Sequence, residues 1–338
     1  MCGEVVGVAV AERLDRFQRK HRWAGFPLAV AYKYFDDFGA YLAALLTYYG
    51  FVSLFPLLLL LSTVLGFALS GDQRLQHEVL TSALHQFPVI GGDLAQPKRL
   101  GGGTVGLIVG IAGSLYGGLG VAQAFQYAMN TVWGVPRNNR PNPFHARGRS
   151  LLLLATAGLA LMGTTVLSIV GGGGAGALGE AVRFIALAAS VVISVAVSIF
   201  AFRFAAARRL SVRDVVPGAV AAAVIWQLLQ SFGIIYVRHV VKHATATNAV
   251  FAIVLGLLAF LYITATAVLL CAEINAVRVN RMHPRSLLTP FTDNVILTTG
   301  DRRAYSRQAK AQRSKGFEHV DVNFDPPASE PQQDNHGT

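Results

Sequence analysis

The sequence predicts an all-α integral membrane bundle of six transmembrane helices with both termini cytoplasmic, and three observations predict it. Ala40 to Leu69 runs for thirty residues without an Asp, Glu, Lys or Arg, whereas about 20 apolar residues cross the hydrocarbon core of a bilayer. Charged residues make up 14% of the 338-residue chain and apolar residues 53%, against about 25% charged in an ordinary soluble domain. Basic residues are concentrated in alternate loops, as membrane topology requires.

The expected spans are Ala40 to Leu69, Gly103 to Met129, Leu151 to Gly171, Arg183 to Phe202, Val215 to Val237 and Asn248 to Cys271. The uncharged stretch around the second runs from Leu100 to Val135, longer than a perpendicular crossing needs at about 1.5 Å per residue, so part of it tilts or extends past the lipid. All but six of the 29 Lys and Arg fall before the first span, in the second and fourth loops or after the last span. The exceptions are Arg74, Lys98, Arg99, Arg183, Arg238 and Lys242. Positive segments stay on the cytoplasmic side, which places both termini there. The chain divides into a cytoplasmic or interfacial segment (1–39), the six-helix domain (40–285) and a basic tail (286–338). The tail from about Thr299 is rich in charge, Pro and Gln and poor in apolar residues, so it is expected to be disordered.

The net charge of +11 invites a nucleic-acid reading, but the excess lies where topology and anionic headgroups place it, and no nucleic-acid partner is expected. Glu12 to Trp23 mixes Leu14, Phe17 and Trp23 with cationic side chains, the pattern of an interfacial anchor. Leu75, Val79, Leu80, Ala83, Leu84 and Phe87 recur at helical spacing and predict an amphipathic helix over 73–87 on the outer side. Cys2 and Cys271 form no disulfide framework. The first ten residues lack a basic n-region and a long apolar h-region, so the amino terminus is expected to be retained.

Polar residues at membrane depth need partners and face the bundle interior. Thr47, Tyr48 and Ser53 in the first span, with Pro56 as a potential kink, Gln123, Gln126 and Asn130 in the second, and Gln227 and Gln230 beside Trp226 in the fifth either line a substrate path or act as interhelical glue. Glu273, at the cytoplasmic end of the sixth span, either pairs with a loop arginine such as Arg209 or Arg278 or couples to protons. Gly106, Gly110, Gly113, Gly117 and Gly120 form a smooth stripe for close backbone approach. That stripe permits intramolecular packing or an isologous homodimer.

Catalytic signals are weak. His239 and His243 are four apart but lack a third ligand at useful spacing and lie among cations, so no metal site is expected. No Walker lysine follows the Gly171 to Gly174 run, so neither a nucleotide nor any other cofactor is expected.

Several of these residues carry a family resemblance. Ala43-Ala44-Leu45-Leu46-Thr47-Tyr48-Tyr49 leading to Ser53-Leu54-Phe55-Pro56, Asn130-Thr131-Val132-Trp133-Gly134, Pro217-Gly218-Ala219, Tyr236, Leu261-Tyr262 and Ala272-Glu273-Ile274-Asn275-Ala276 resemble the YihY / virulence factor BrkB family over about residues 30 to 285. The resemblance implies a multi-pass inner-membrane protein. Some members are linked to envelope integrity, serum resistance and passage of lipid precursors across the inner membrane. An older label for the family is ribonuclease BN. The residues disfavour a nuclease: Asp214 stands alone in its loop, and Asp36 and Asp37 precede the first span, so the cytoplasmic face has arginines but almost no acids for hydrolysis. The leading expectation is therefore a non-enzymatic protein that moves, or helps to move, an amphiphilic envelope precursor, with anionic lipid headgroups as partners at the cytoplasmic face. The alternative is a non-transporting envelope scaffold, and the ribonuclease is third.

Overall fold

The computed structural model describes residues 13–68, 103–172, 177–241, 246–292 and 295–325, and every regular element among them is helical. After a first helical stretch at 13–20 come α1 (Arg22–Asp36), α2 (Gly39–Ala68), α3 (Gly103–Val132), α4 (Pro143–Gly172), α5 (Ala177–Ala205), α6 (Val212–Val241), α7 (Ala246–Asn280) and α8 (Thr299–Ala311). Six of these, α2 to α7, contain 29 to 35 residues. Each coincides with one expected span and several overrun it; α7 extends to Asn280 and α4 begins at Pro143. At about 1.5 Å per residue such helices are longer than the roughly 30 Å hydrocarbon core of a bilayer.

Three described stretches are long and apolar enough to cross a membrane: Glu180–Ala205, Val212–Gln230 and Val254–Asn280. On α5, Phe184, Ile185 and Val192 point outward with about two thirds or more of their surface exposed, as do Leu159 and Met162 on α4. Apolar surface on this scale needs a lipid or protein cover, and lipid supplies it for a membrane protein.

Local chemistry sets the helix boundaries. Asn142 precedes Pro143 and its Oδ1 accepts from the His145 amide at 3.0 Å, placing an N-cap before a proline that has no amide to satisfy. Pro217, inside α6, cannot donate to the carbonyl four residues earlier. The Arg278 guanidinium donates to that carbonyl, on Arg213, and also to the Asp214 carbonyl at 3.2 Å. Between α1 and α2 the chain turns through Phe38 in the left-handed region, φ 56°.

Each long helix packs on its chain neighbour, and α7 closes the ring against α2. The buried core gathers at one end, where the start of α2, the end of α3, the end of α5, the start of α6 and the end of α7 converge. Ala43, Ala128, Ala205, Ala219, Ala272 and Ala276 are nearly inaccessible there, with Met129, Trp133 and Phe202 filling the space between. Small residues allow the backbones to approach closely. A Cβ built on Gly117 would lie 2.5 Å from the Ser53 Cα, and one on Gly120 would enter the Tyr49 ring. Gly117 and Gly120 are thus occupied by α2 of the same chain and are not open to a second copy.

Two sequence expectations change. The tail from Thr299 is ordered through residue 325 among the described residues, and α8 carries a capping box in which Thr298 and Asp301 satisfy each other's backbone amides. Its order comes from polar anchoring to residues far away in sequence, which a low apolar content does not reveal. Glu273 faces neither Arg209 nor Arg278 as its cation but Lys33, at 3.6 Å, because α1 packs directly on α7. The expected 73–87 helix, His243 and the Gly173 to Gly174 end of the glycine run lie outside the described residues, as do the side chains of Pro56 and His239 and the surroundings of Gly106.

Candidate functional site

Two buried charge clusters stand at the end of the bundle where the core is densest. In the first, Lys33 on α1 bonds Asp37 one helical turn on, donates to the Val132 carbonyl at 3.3 Å and faces Glu273 on α7 at 3.6 Å. Burial pulls the Lys33 ammonium down, but Glu273 and Asp37 outweigh it and leave its pKa raised. In the second, Arg285 donates to Asp301 at 2.6 Å and to Asp36 at 2.9 Å, and its side chain is 1% exposed. Asp301 also accepts from the Ser286 amide at 3.0 Å. Gln308 on α8 donates to the Asp36 carbonyl at 2.7 Å. Burial pushes the Asp36 carboxyl above its usual range, with Arg285 and Lys33 pulling against it. Together these bonds fix α8 onto the α1–α2 corner.

The docked α8 encloses a cavity of about 620 Å³. Arg137 and Arg140 from the loop after α3 and Arg307 from α8 form a cationic rim, Phe38, Tyr41, Leu42 and Leu45 an apolar wall, and Lys33 and Asp37 touch its interior. Among the described residues no carboxylate pairs with Arg137, Arg140 or Arg307. Burial lowers the pKa of Arg307, with Arg208 adding to the effect, and burial also lowers that of Arg140, partly offset by Tyr127. The Arg140 guanidinium lies 5.0 Å from the Tyr127 ring centre. With Arg140 and Arg307 partly desolvated and Arg137 exposed beside them, the rim has the chemistry that pairs with a phosphate or carboxylate. The neighbouring apolar wall suits a chain attached to it.

A second cavity of about 370 Å³ shares Leu45, Tyr127 and Arg140 with the first. Gln123, Gln126 and Asn130 line it, so three of the polar residues chosen from sequence converge. Two of them also hold helices together. Gln126 donates to Ser150 Oγ at 2.8 Å and to the Ala146 carbonyl at 3.1 Å, joining α3 to α4. Asn130 Oδ1 accepts from the Ala207 amide at 2.7 Å just past the end of α5. Asn130→Ala should therefore cost about 1–3 kcal/mol by stranding that amide, seen as a lowered thermal midpoint of the detergent-solubilised protein; an unchanged midpoint would refute the assignment.

The other chosen residues lie elsewhere. Thr47 donates to the Ala43 carbonyl and Ser53 to the Gly50 carbonyl, both within α2. Tyr48 is exposed and packs edge-on against Tyr49. Gln227 and Gln230, half-buried on α6, line neither cavity. Sequence reasoning missed Lys33, Arg285, Asp301 and Arg307 as site residues and counted the cations only as topology signals. The i,i+4 spacing of Lys33 and Asp37 could have flagged the first cluster. No local pattern marks Arg285, whose partners are 249 residues earlier and 16 later.

No curated protein and no solved structure matches the chain. A profile of the family described as virulence factor BrkB matches residues 30–294. The matched region takes in all six long helices and both charge clusters up to Arg285, in agreement with the resemblance read from the helix motifs. This all-helical membrane protein belongs to the virulence factor BrkB family.

Proposed function

We propose that the chain is a multi-pass inner-membrane protein, cytoplasmic at both termini, that binds the anionic head of an amphiphilic envelope precursor and moves it, or helps to move it, across the bilayer. The observation that carries this is the 620 Å³ cavity with Arg137, Arg140 and Arg307 over an apolar wall. It lies at the end of the bundle that the basic residues assign to the cytoplasm, where anionic headgroups are abundant. The adjoining cavity with Gln123 offers a polar continuation along α3.

The test is binding and scrambling of fluorescent anionic and zwitterionic lipids by purified protein in proteoliposomes. Anionic lipid should be preferred, and Arg137→Ala/Arg140→Ala/Arg307→Ala should weaken its binding at least about tenfold, since one hydrogen bond to a charged group contributes about 1.5–3 kcal/mol. Scrambling that disappears in a triple Gln123, Gln227 and Gln230 to alanine variant would support a lipid path along α3 and α6. Failure of the wild type to bind or move any anionic lipid, with folding verified, would sink the proposal.

The alternative is a non-transporting envelope scaffold, favoured by the interhelical bonds of Gln126 and Asn130. A hydrolytic role has less support. Asp36 is held by Arg285, Asp37 by Lys33, and Asp214 accepts from the Ser211 amide at 2.9 Å. Each of the three is already engaged by a partner rather than grouped as a hydrolytic centre, and we propose neither an enzymatic activity nor a nucleic-acid partner.

A further inference from the structure

The first charge cluster places one ammonium, that of Lys33, between two carboxylates. The Lys33 hydrogen bonds go to Asp37 and the Val132 carbonyl. Glu273 Oε2, at 3.6 Å from Nζ, is beyond hydrogen-bonding distance. That oxygen has no hydrogen-bond partner among the described residues, and Glu273 is 1% exposed. A fully ionised carboxylate in such a place is costly, and two carboxylates sharing one cation do not both ionise cheaply. Asp37 and Glu273 both lie against the Lys33 ammonium, so a proton on Glu273 relieves the excess negative charge of the whole cluster.

Other groups do not neutralise the excess. Asp36, the next acid on α1, is held by Arg285, which also serves Asp301. Arg278 on α7 is directed at the carbonyls of Arg213 and Asp214. The facing atom from α3 is the Val132 carbonyl oxygen, and Thr47 on α2 bonds within its own helix. Across the cavity stand Tyr127, Arg137, Arg140 and Arg307. Lys33 and Asp37 are themselves cavity residues, so an anion entering there meets the cluster directly.

We propose that the cluster around Lys33 holds one exchangeable proton, carried by Glu273, and that an anionic headgroup binds in the cavity with uptake of that proton from solvent. Without the proton, the cluster carries a net negative charge beside the anion and opposes it. With the proton, the cluster is neutral and the arginine rim dominates. Coupling is reciprocal, so the bound anion raises proton affinity as much as the proton raises anion affinity. No covalent bond changes; the proton returns to solvent when the headgroup leaves. The inference rests on the headgroup reading above.

The experiment is isothermal titration calorimetry of the full-length protein in detergent with dihexanoyl phosphatidylglycerol. This phosphodiester has one strongly acidic proton and no second, so its single charge stays constant through the titration of a carboxyl group. Titrations in two buffers of different ionisation enthalpy count the protons taken up. The wild type should take up close to one proton per ligand above the apparent pKa of the cluster, and its affinity should fall by up to about tenfold per pH unit there. Glu273→Gln, which removes the proton-holding carboxylate, should flatten that slope, and Asp37→Asn, which removes the excess negative charge, should do the same. The wild-type proton count stands without either variant. Binding with no proton uptake and a flat affinity profile would overturn the coupling but leave the headgroup site in place. Retention of the full wild-type slope in Glu273→Gln would also overturn it. No binding at any pH would sink the headgroup reading and the coupling with it.

Discussion

Arg285→Ala is expected to destabilise the protein by about 3–5 kcal/mol, the usual cost of removing one partner from a buried ion cluster. Arg285 is fully buried between Asp36 and Asp301, and deleting the guanidinium leaves both carboxylates without their cation. Tyr32 and Tyr305 lie against it, with ring centres 5.9 Å and 5.1 Å from its Cζ, so the packing is lost with the charge. The effect should be local first. Because α8 is tied to α1 through Arg285 and Gln308, the segment after Arg285 should become protease-sensitive before the long helices unfold. Limited proteolysis and thermal unfolding in detergent measure the two parts. Wild-type resistance and an unchanged Tm in the variant would show that the cluster contributes little.

Gly218→Val should be the second most damaging change, at about 3 kcal/mol or more. A Cβ at Gly218 would overlap the Cys271 carbonyl oxygen and the Asn275 side chain, and backbone on the facing helix cannot rotate away as a flexible side chain can. The same contact carries two hydrogen bonds. Asn275 Oδ1 accepts from the Gly218 amide at 2.8 Å, and its Nδ2 donates to the Val215 carbonyl at 3.1 Å. Separating α6 from α7 leaves these groups unpaired in a buried place. The measurement is the thermal midpoint and the monodisperse yield of the variant in detergent. A Tm within error of wild type would mean the two helices shift apart without cost. Gly148→Ala, at a glycine with nothing within 4 Å of a built Cβ, is the matched control.

The two changes concern residues that differ in how legible they were. Pro217-Gly218-Ala219 and Asn275 stand out in sequence as family-like motifs, and the structure supplies the reason, a close crossing of α6 and α7 bridged by one amide. Gln123, Gln126 and Asn130 were legible because apolar neighbours on a helix make three amides conspicuous. Their division between cavity lining and helix bridging was not, since it depends on the residues across α4 and α5. Arg285 and Arg307 were invisible as site residues, because a basic tail reads the same whether solvated or folded back.

The sequence by itself determined that this is a helical membrane protein, where its six long helices run and which ends carry the cations. Those properties follow from local hydropathy and charge, which a chain displays without folding. Tertiary structure alone decided that α1 and α8 belong to the folded body, that Glu273 meets Lys33 and that three arginines share a cavity. Each of these depends on ion pairs and close approaches between residues distant in the chain. Their strength comes from burial, which exists only once the helices have packed.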